Sequence, residues 1–196
     1  MSFIAFLGCD GSGKSAVIDG VARRLESDGV RVTRGHWCPK PFATPNAQRA
    51  AAADNPHGQR PRGMAGSVFK LSWLWFNWWA AWLLCLRGDS RRGVVLFDRY
   101  HADLLVDPQR YRYGGPAVLA RFASRGMPQP DAVIFLDAPP AVLLSRKQEV
   151  AADALQRSCD RYLELCQTHR RFHRVDAARP LEEVLAEATA LVRAAG

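Results

Sequence analysis

Gly8-Cys9-Asp10-Gly11-Ser12-Gly13-Lys14-Ser15 is the stretch from which the fold follows. The apolar run Phe3-Ile4-Ala5-Phe6-Leu7 precedes it and reads as a buried strand. After it, Val17, Ile18, Val21, Ala22 and Leu25 fall on one face of a helix. Strand, glycine loop and helix in that order are the setting of a phosphate-binding loop; the alternative is a glycine turn of purely structural use. Around Ser12, the residues Gly8, Gly11 and Gly13 let backbone N–H groups converge on phosphate oxygens, and the helix N-terminus adds partial positive charge. Lys14 supplies an ammonium, and the Ser15 hydroxyl suits Mg²⁺.

The rest of the composition bounds what such a loop can serve. With 196 residues, 48% of them hydrophobic, and no Ser/Gly/Pro-rich linker, the expectation is one domain over residues 1–196. Five cysteines, an odd number without CxxC spacing, indicate neither a disulfide framework nor a zinc site, so a reducing cytoplasm is expected. No basic segment precedes the first apolar strand, so no secretory signal is expected. The net charge of +8 suits nucleic acid, an acidic membrane surface or phosphorylated small molecules, and composition alone does not choose among them. The arginines come in short groups rather than one stripe interleaved with aromatics, which argues against a nucleic-acid partner.

Five segments read as strands of a parallel sheet: residues 3–7, 30–34, 94–97, 132–136 and 172–175. Helical patterns separate most of them, the signature of a doubly wound α/β domain. Residues 38–66, rich in Pro, Ala, Gly and Arg, are expected to form either a mobile loop beside the acceptor site or a disordered insertion. The run from Leu71 to Leu86 carries Trp73, Trp75, Trp78, Trp79 and Trp82 and is broken only by Ser72 and Asn77. It falls short of the roughly 20 residues that span a bilayer. A helix apolar all round is buried in a core or a subunit interface, so a homodimer through residues 71–86 is expected, without a membrane.

The strand Val94-Val95-Leu96-Phe97 runs into Asp98-Arg99-Tyr100, which puts a carboxylate and a guanidinium at the carboxyl edge of a central strand, where open α/β sheets bind ligands. Asp98 is a candidate ligand of Mg²⁺ or its water, and Arg99 a candidate grip on an anionic acceptor; the alternative is a structural Asp/Arg pair closing the strand.

Together these elements resemble the thymidylate kinase family of P-loop kinases. The resemblance rests on Phe6 through Ser15, Phe97-Asp98-Arg99-Tyr100, Val133-Ile134-Phe135-Leu136-Asp137 and Val175-Asp176-Ala177 followed by Pro180-Leu181-Glu182-Glu183-Val184, in order along nearly the whole chain. It implies a three-layer P-loop NTPase fold with a five-stranded parallel sheet flanked by helices. It also implies that Asp10 contacts the acceptor's sugar hydroxyl, Arg99 and Tyr100 the acceptor, and Ala177 the surroundings of the adenine. In one branch of the family a glycine stands where this chain has Gly11 and the lid supplies the cation. The lid here would be residues 139–168, with Arg146 and Lys147 over the transferring phosphates.

The acceptor-reading segments differ from the family's. Arg34-Gly35-His36-Trp37-Cys38-Pro39 stands where a Glu-Pro-Gly-like turn is usual, and Arg110-Tyr111-Arg112-Tyr113 lies where the family meets its base. Two arginines and two tyrosines suit an anionic or sugar-like group at least as well as thymine. Arg110 and Arg112 are candidate acceptor contacts or anchors of a loop through backbone carbonyls; Trp37 and Phe42 are candidate stacking partners or packing residues. His36, His101 and His173 have no metal-ligand spacing and are given no role in the chemistry. The expected activity is transfer of the γ-phosphoryl of ATP, with Mg²⁺, to a nucleoside monophosphate. The alternatives are a kinase for a sugar or other metabolite on the same fold, and a nucleotide-binding regulatory protein without turnover.

Overall fold

The computed structural model describes residues 2–39, 60–146 and 152–196. In chain order the elements are β1 (Phe3–Leu7), α1 (Lys14–Ser27), β2 (Val32–His36), α2 (Met64–Ala81), a π-helical turn (Trp82–Leu86), α3 (Arg87–Arg92), β3 (Val94–Asp98), α4 (Asp103–Val106), α5 (Ala117–Arg125), β4 (Ala132–Asp137), α6 (Pro140–Arg146), α7 (Ala152–Thr168), β5 (Phe172–Asp176) and α8 (Leu181–Ala194). The strands form one all-parallel sheet in the order β2-β3-β1-β4-β5, flanked by helices, an arrangement consistent with a P-loop NTPase-like fold.

Two compact units are built from interleaved stretches of chain. The first comprises Met1–Gly35, Asp89–Tyr100 and Pro130–Gly196. It carries β1 in the middle of the sheet, paired Phe3 to Val95 on one side and Ile4 to Ala132 on the other. Every residue of β1 is buried, which explains why its sequence is apolar without alternation: a central parallel strand has no solvent face. α1 packs on α8, and α7 on β4 and β5.

Strand limits depart from the expected ones for local reasons. β2 begins at Val32 rather than at residue 30, because the Val30 amide still bonds to the Leu25 carbonyl at the end of α1, with Gly29 between them at φ +78°. β3, β4 and β5 each run one residue further than expected, and the added residue is an aspartate every time: Asp98, Asp137 and Asp176. Asp98 is in register with Phe6, and Asp137 with Asp176, so sheet pairing overrides the poor strand preference of Asp.

The second unit comprises His36–Gly88 and His101–Gln129. The expected irregular segment 38–66 ends early, since α2 starts at Met64 after Gly63, whose carbonyl accepts the Ser67 amide at 2.9 Å; residues 40–59 of that segment lie outside the described residues. The buried positions of α2 are Ser67, Leu71, Leu74, Trp78 and Ala81, a row at steps of four and three. Leu71 packs with Leu104, Tyr111, Tyr113 and Ala120. The opposite row is exposed, with Phe69 at 71%, Phe76 at 66% and Trp73 at 49%. The Trp-rich helix, expected to be covered on every side, is therefore buried along one row only within the chain. Among the described residues, no helix is long and apolar enough to cross a membrane.

Candidate active site

The loop between β1 and α1 is shaped by what its residues cannot tolerate. Gly11 sits at φ +87°, and a Cβ there would come within 2.6 Å of the Leu143 carbonyl of α6, so only glycine fits. Gly13 caps α1 at φ +81°, and a Cβ there would meet no atom within 4 Å; its surface is open toward the helix N-terminus. Ser12 is buried, its amide bonded to the Cys9 carbonyl at 3.2 Å. Lys14 is buried as well, and its ammonium donates to the carbonyls of Gly8 at 2.7 Å and Cys9 at 3.0 Å. The loop thus folds back on its own cation, and Ser15, the second residue of α1, is exposed.

Register brings Asp98 beside Phe6, two residues before Gly8. Its Oδ1 is buried and has no hydrogen-bond partner among the described residues. An orphaned carboxylate oxygen at a strand edge near a phosphate loop suits a hard cation, and such a cation takes one or two carboxylates plus phosphate oxygens rather than a full protein cage. No group of three or more His, Cys, Asp or Glu that could hold a metal ion occurs among the described residues. Asp98 and Ser15 therefore fit Mg²⁺ only in company with a bound phosphate.

The next residue turns sharply. Arg99 adopts φ +68°, its amide bonds to the Phe6 carbonyl at 2.9 Å, and its guanidinium donates to Asp10 Oδ1 at 2.6 Å, with 8% and 12% of the two side chains exposed. The two residues expected to grip an acceptor are thus drawn together at the mouth of the glycine loop. Tyr100, expected to touch substrate, is instead a core residue: it is 1% exposed and its ring meets Phe3 edge-on at 5.9 Å. Burial raises its phenol well above the usual value. The left-handed turn at Arg99 swings the following side chain away from the strand edge and into the core.

Ala177 is buried, its amide bonded to the Asp137 carbonyl at 2.6 Å, and its own carbonyl accepts from Arg146 at 3.2 Å. Arg146, expected over the phosphates, is thus engaged with the turn after β5 at the end of α6. Lys147 lies outside the described residues, as does Phe42.

In the second unit, Trp37 at φ +37° stacks on Tyr111, centroids 4.5 Å apart and planes 13° from parallel. One face of the indole is therefore packing rather than open to a ligand. Arg112, at φ +52°, donates to the Arg60 carbonyl at 3.2 Å and accepts from the Arg62 amide at 3.0 Å, which is the loop-anchoring alternative. The Arg110 backbone amide donates to Asp107 Oδ1 at 3.1 Å. Sequence reasoning missed Lys70. Its ammonium lies over the Trp37 and Tyr111 rings and bonds to the Tyr111 carbonyl, and burial, then Arg62 and Arg112, push its pKa down to about 8. A lone cation within an apolar run, between Phe69 and Leu71, was the available signal. His101 is wholly buried against Ser124 and Trp78, and burial lowers its pKa well below the usual value.

No family model matches this chain, and no curated protein matches it.

Proposed function

We propose that this chain is a phosphotransferase of thymidylate kinase-like type that moves the γ-phosphoryl of ATP to a nucleoside monophosphate. The observation that carries the reading is the glycine loop with its buried Lys14, set in register beside an Asp98 oxygen that lacks a partner among the described residues. Phosphoryl transfer asks a protein for positioning and charge stabilisation and for little covalent help.

The Lys14 ammonium donates to two loop carbonyls. A phosphate entering at the α1 N-terminus offers it a fully charged acceptor instead, and charge-assisted bonds are about twice as strong as neutral ones. Arg99 likewise exchanges Asp10 for an anionic acceptor, leaving the carboxylate to receive a sugar hydroxyl. Ser15 and Asp98 are the residues that would hold Mg²⁺, which would supply neutralisation of charge on the phosphate oxygens. An acceptor phosphate is deprotonated near neutral pH and needs no base.

A second reading, a kinase for a sugar or other alcohol, is favoured by the same Asp98 oxygen, which can take the proton an alcohol must lose. A regulatory protein that binds nucleotide without turnover is the third reading, and a single ATP-turnover assay separates it from both. A cytoplasmic setting belongs to this reading and rests on the odd number of cysteines without CxxC spacing. The exposed apolar row of α2 is read as the surface that a second copy covers.

Lys14→Ala tests the donor site. Loss of the cation should lower phosphoryl transfer about a hundredfold, equivalent to roughly 3 kcal/mol, with the circular dichroism spectrum unchanged. Wild-type turnover in the folded variant would remove the loop from the mechanism. Labelled ATP with a panel of nucleotides, sugars and polar metabolites then identifies the acceptor class.

A further inference from the structure

The second residue of the glycine loop has a use that phosphate binding does not explain. Cys9 Sγ lies 3.3 Å from Cys159 Sγ of α7, and both residues are buried, at 7% and 4% exposure. The two are 150 positions apart in sequence, so only the fold brings them together. We propose that Cys9 and Cys159 form a redox modification site, a dithiol that hydrogen peroxide converts into a disulfide tying the phosphate loop to α7.

The chemistry balances with peroxide as the oxidant. One thiolate attacks a peroxide oxygen, giving a sulfenic acid and hydroxide; the second thiol then attacks that sulfur, the S–S bond forms and the sulfenic oxygen leaves as water. Overall, two thiols and one peroxide give one disulfide and two waters. The hydrogen bond shared with Cys9 pulls the Cys159 pKa below the ordinary thiol value, against the opposing effect of burial, and either thiol can attack first. Peroxide is small enough for a buried thiol, whereas bulky alkylating agents are not.

The sulfurs must close by about 1.3 Å to reach bonding distance. Cys159 has little freedom to move. It shares a buried face of α7 with Leu155 and Tyr162, and Tyr162 stacks on Phe135 of β4 at 4.8 Å. The displacement therefore falls on Cys9, whose carbonyl accepts from both the Ser12 amide and the Lys14 ammonium. Moving it shifts the two groups that shape the loop, so the disulfide should hold the loop away from its phosphate-binding form. This last consequence rests on the phosphotransferase reading; formation of the disulfide does not.

The experiment uses the full chain with Cys38→Ser, Cys85→Ser and Cys166→Ser, which removes the other thiols. After stoichiometric hydrogen peroxide, intact mass should fall by two hydrogens and digestion should yield one peptide joining Cys9 to Cys159. MgATP affinity should drop at least about tenfold and return with dithiothreitol. Adding Cys159→Ser should leave affinity before oxidation unchanged and abolish the peroxide response. Sulfinic acid without a cross-link overturns the proposal; a cross-link with unchanged MgATP affinity bears out the dithiol and overturns its effect on the loop. Should the reduced protein fail to bind MgATP, the phosphotransferase reading falls, and mass with thermal melting before and after oxidation still decides the dithiol.

Discussion

Asp10 and Arg99 form an ion pair of the kind whose single halves are expensive to remove, because each nearly buried charge is left without its counterpart. Arg99→Met should destabilise the fold by about 3 kcal/mol, in the range found when one partner of a buried pair is lost. The double variant Asp10→Asn with Arg99→Met should cost clearly less than the two single changes added together. Urea unfolding of the four proteins gives the coupling, and simple additivity would mean that the pair contributes nothing to folding. At this scale the sequence announces some residues and hides others. Gly11, Gly13 and Lys14 are legible because the glycine turn between β1 and α1 demands small residues at positive φ and the motif fixes the place of the lysine. The burial of Tyr100 is not, since it follows from a left-handed backbone at Arg99, a conformation arginine rarely adopts.

The Trp-rich helix shows the same division among elements. Its existence is plain from composition, but its register is not. Ser67, Leu71, Leu74, Trp78 and Ala81 follow the α-helical period, which would next bury residue 85; the structure buries Leu86 and leaves Cys85 exposed. The π-helical turn at Trp82–Leu86 accommodates one extra residue, and composition carries no trace of it. Deleting Leu84, which is 63% exposed, should therefore turn the π turn into an ordinary one and cost less than about 1 kcal/mol. Deleting Asn77 should rotate Trp78 and Ala81 out of the buried row and cost more than about 3 kcal/mol. Thermal melts of the two deletions compare them directly; equal losses would show that the turn is not a register device. Three strands outrun their sequence signal by one residue for a comparable reason: aspartate reads as a stop, whereas in β3, β4 and β5 pairing carries the strand through it.

For the molecule as a whole, the exposed apolar row of α2 sets the expectation for assembly. Phe69, Trp73 and Phe76, with Leu83 and Leu84 of the π turn, are large side chains that a net charge of +8 alone would not keep apart. Sedimentation equilibrium in detergent-free buffer should give a dimer, and Trp73→Glu with Phe76→Glu should give a folded monomer, as both side chains already face outward. A wild-type monomer, or one that sediments only with lipid, would contradict this. The absence of a linker in the sequence is compatible with two compact units because neither is a continuous stretch; the chain passes between them several times, so no single junction marks their limits. The central place of β1 also carries a consequence for biosynthesis. The five apolar residues Phe3–Leu7 leave the ribosome well before their lateral partners, Val95 to Asp98 and Ala132 to Phe135. At about 5–20 residues per second, β1 waits roughly 6–25 s for β4, and the edge that β4 covers stays open throughout. Over that interval the nascent chain exposes its most adhesive segment, and its yield in the cell becomes a matter of translation speed and chaperone supply as much as of the stability of the finished fold.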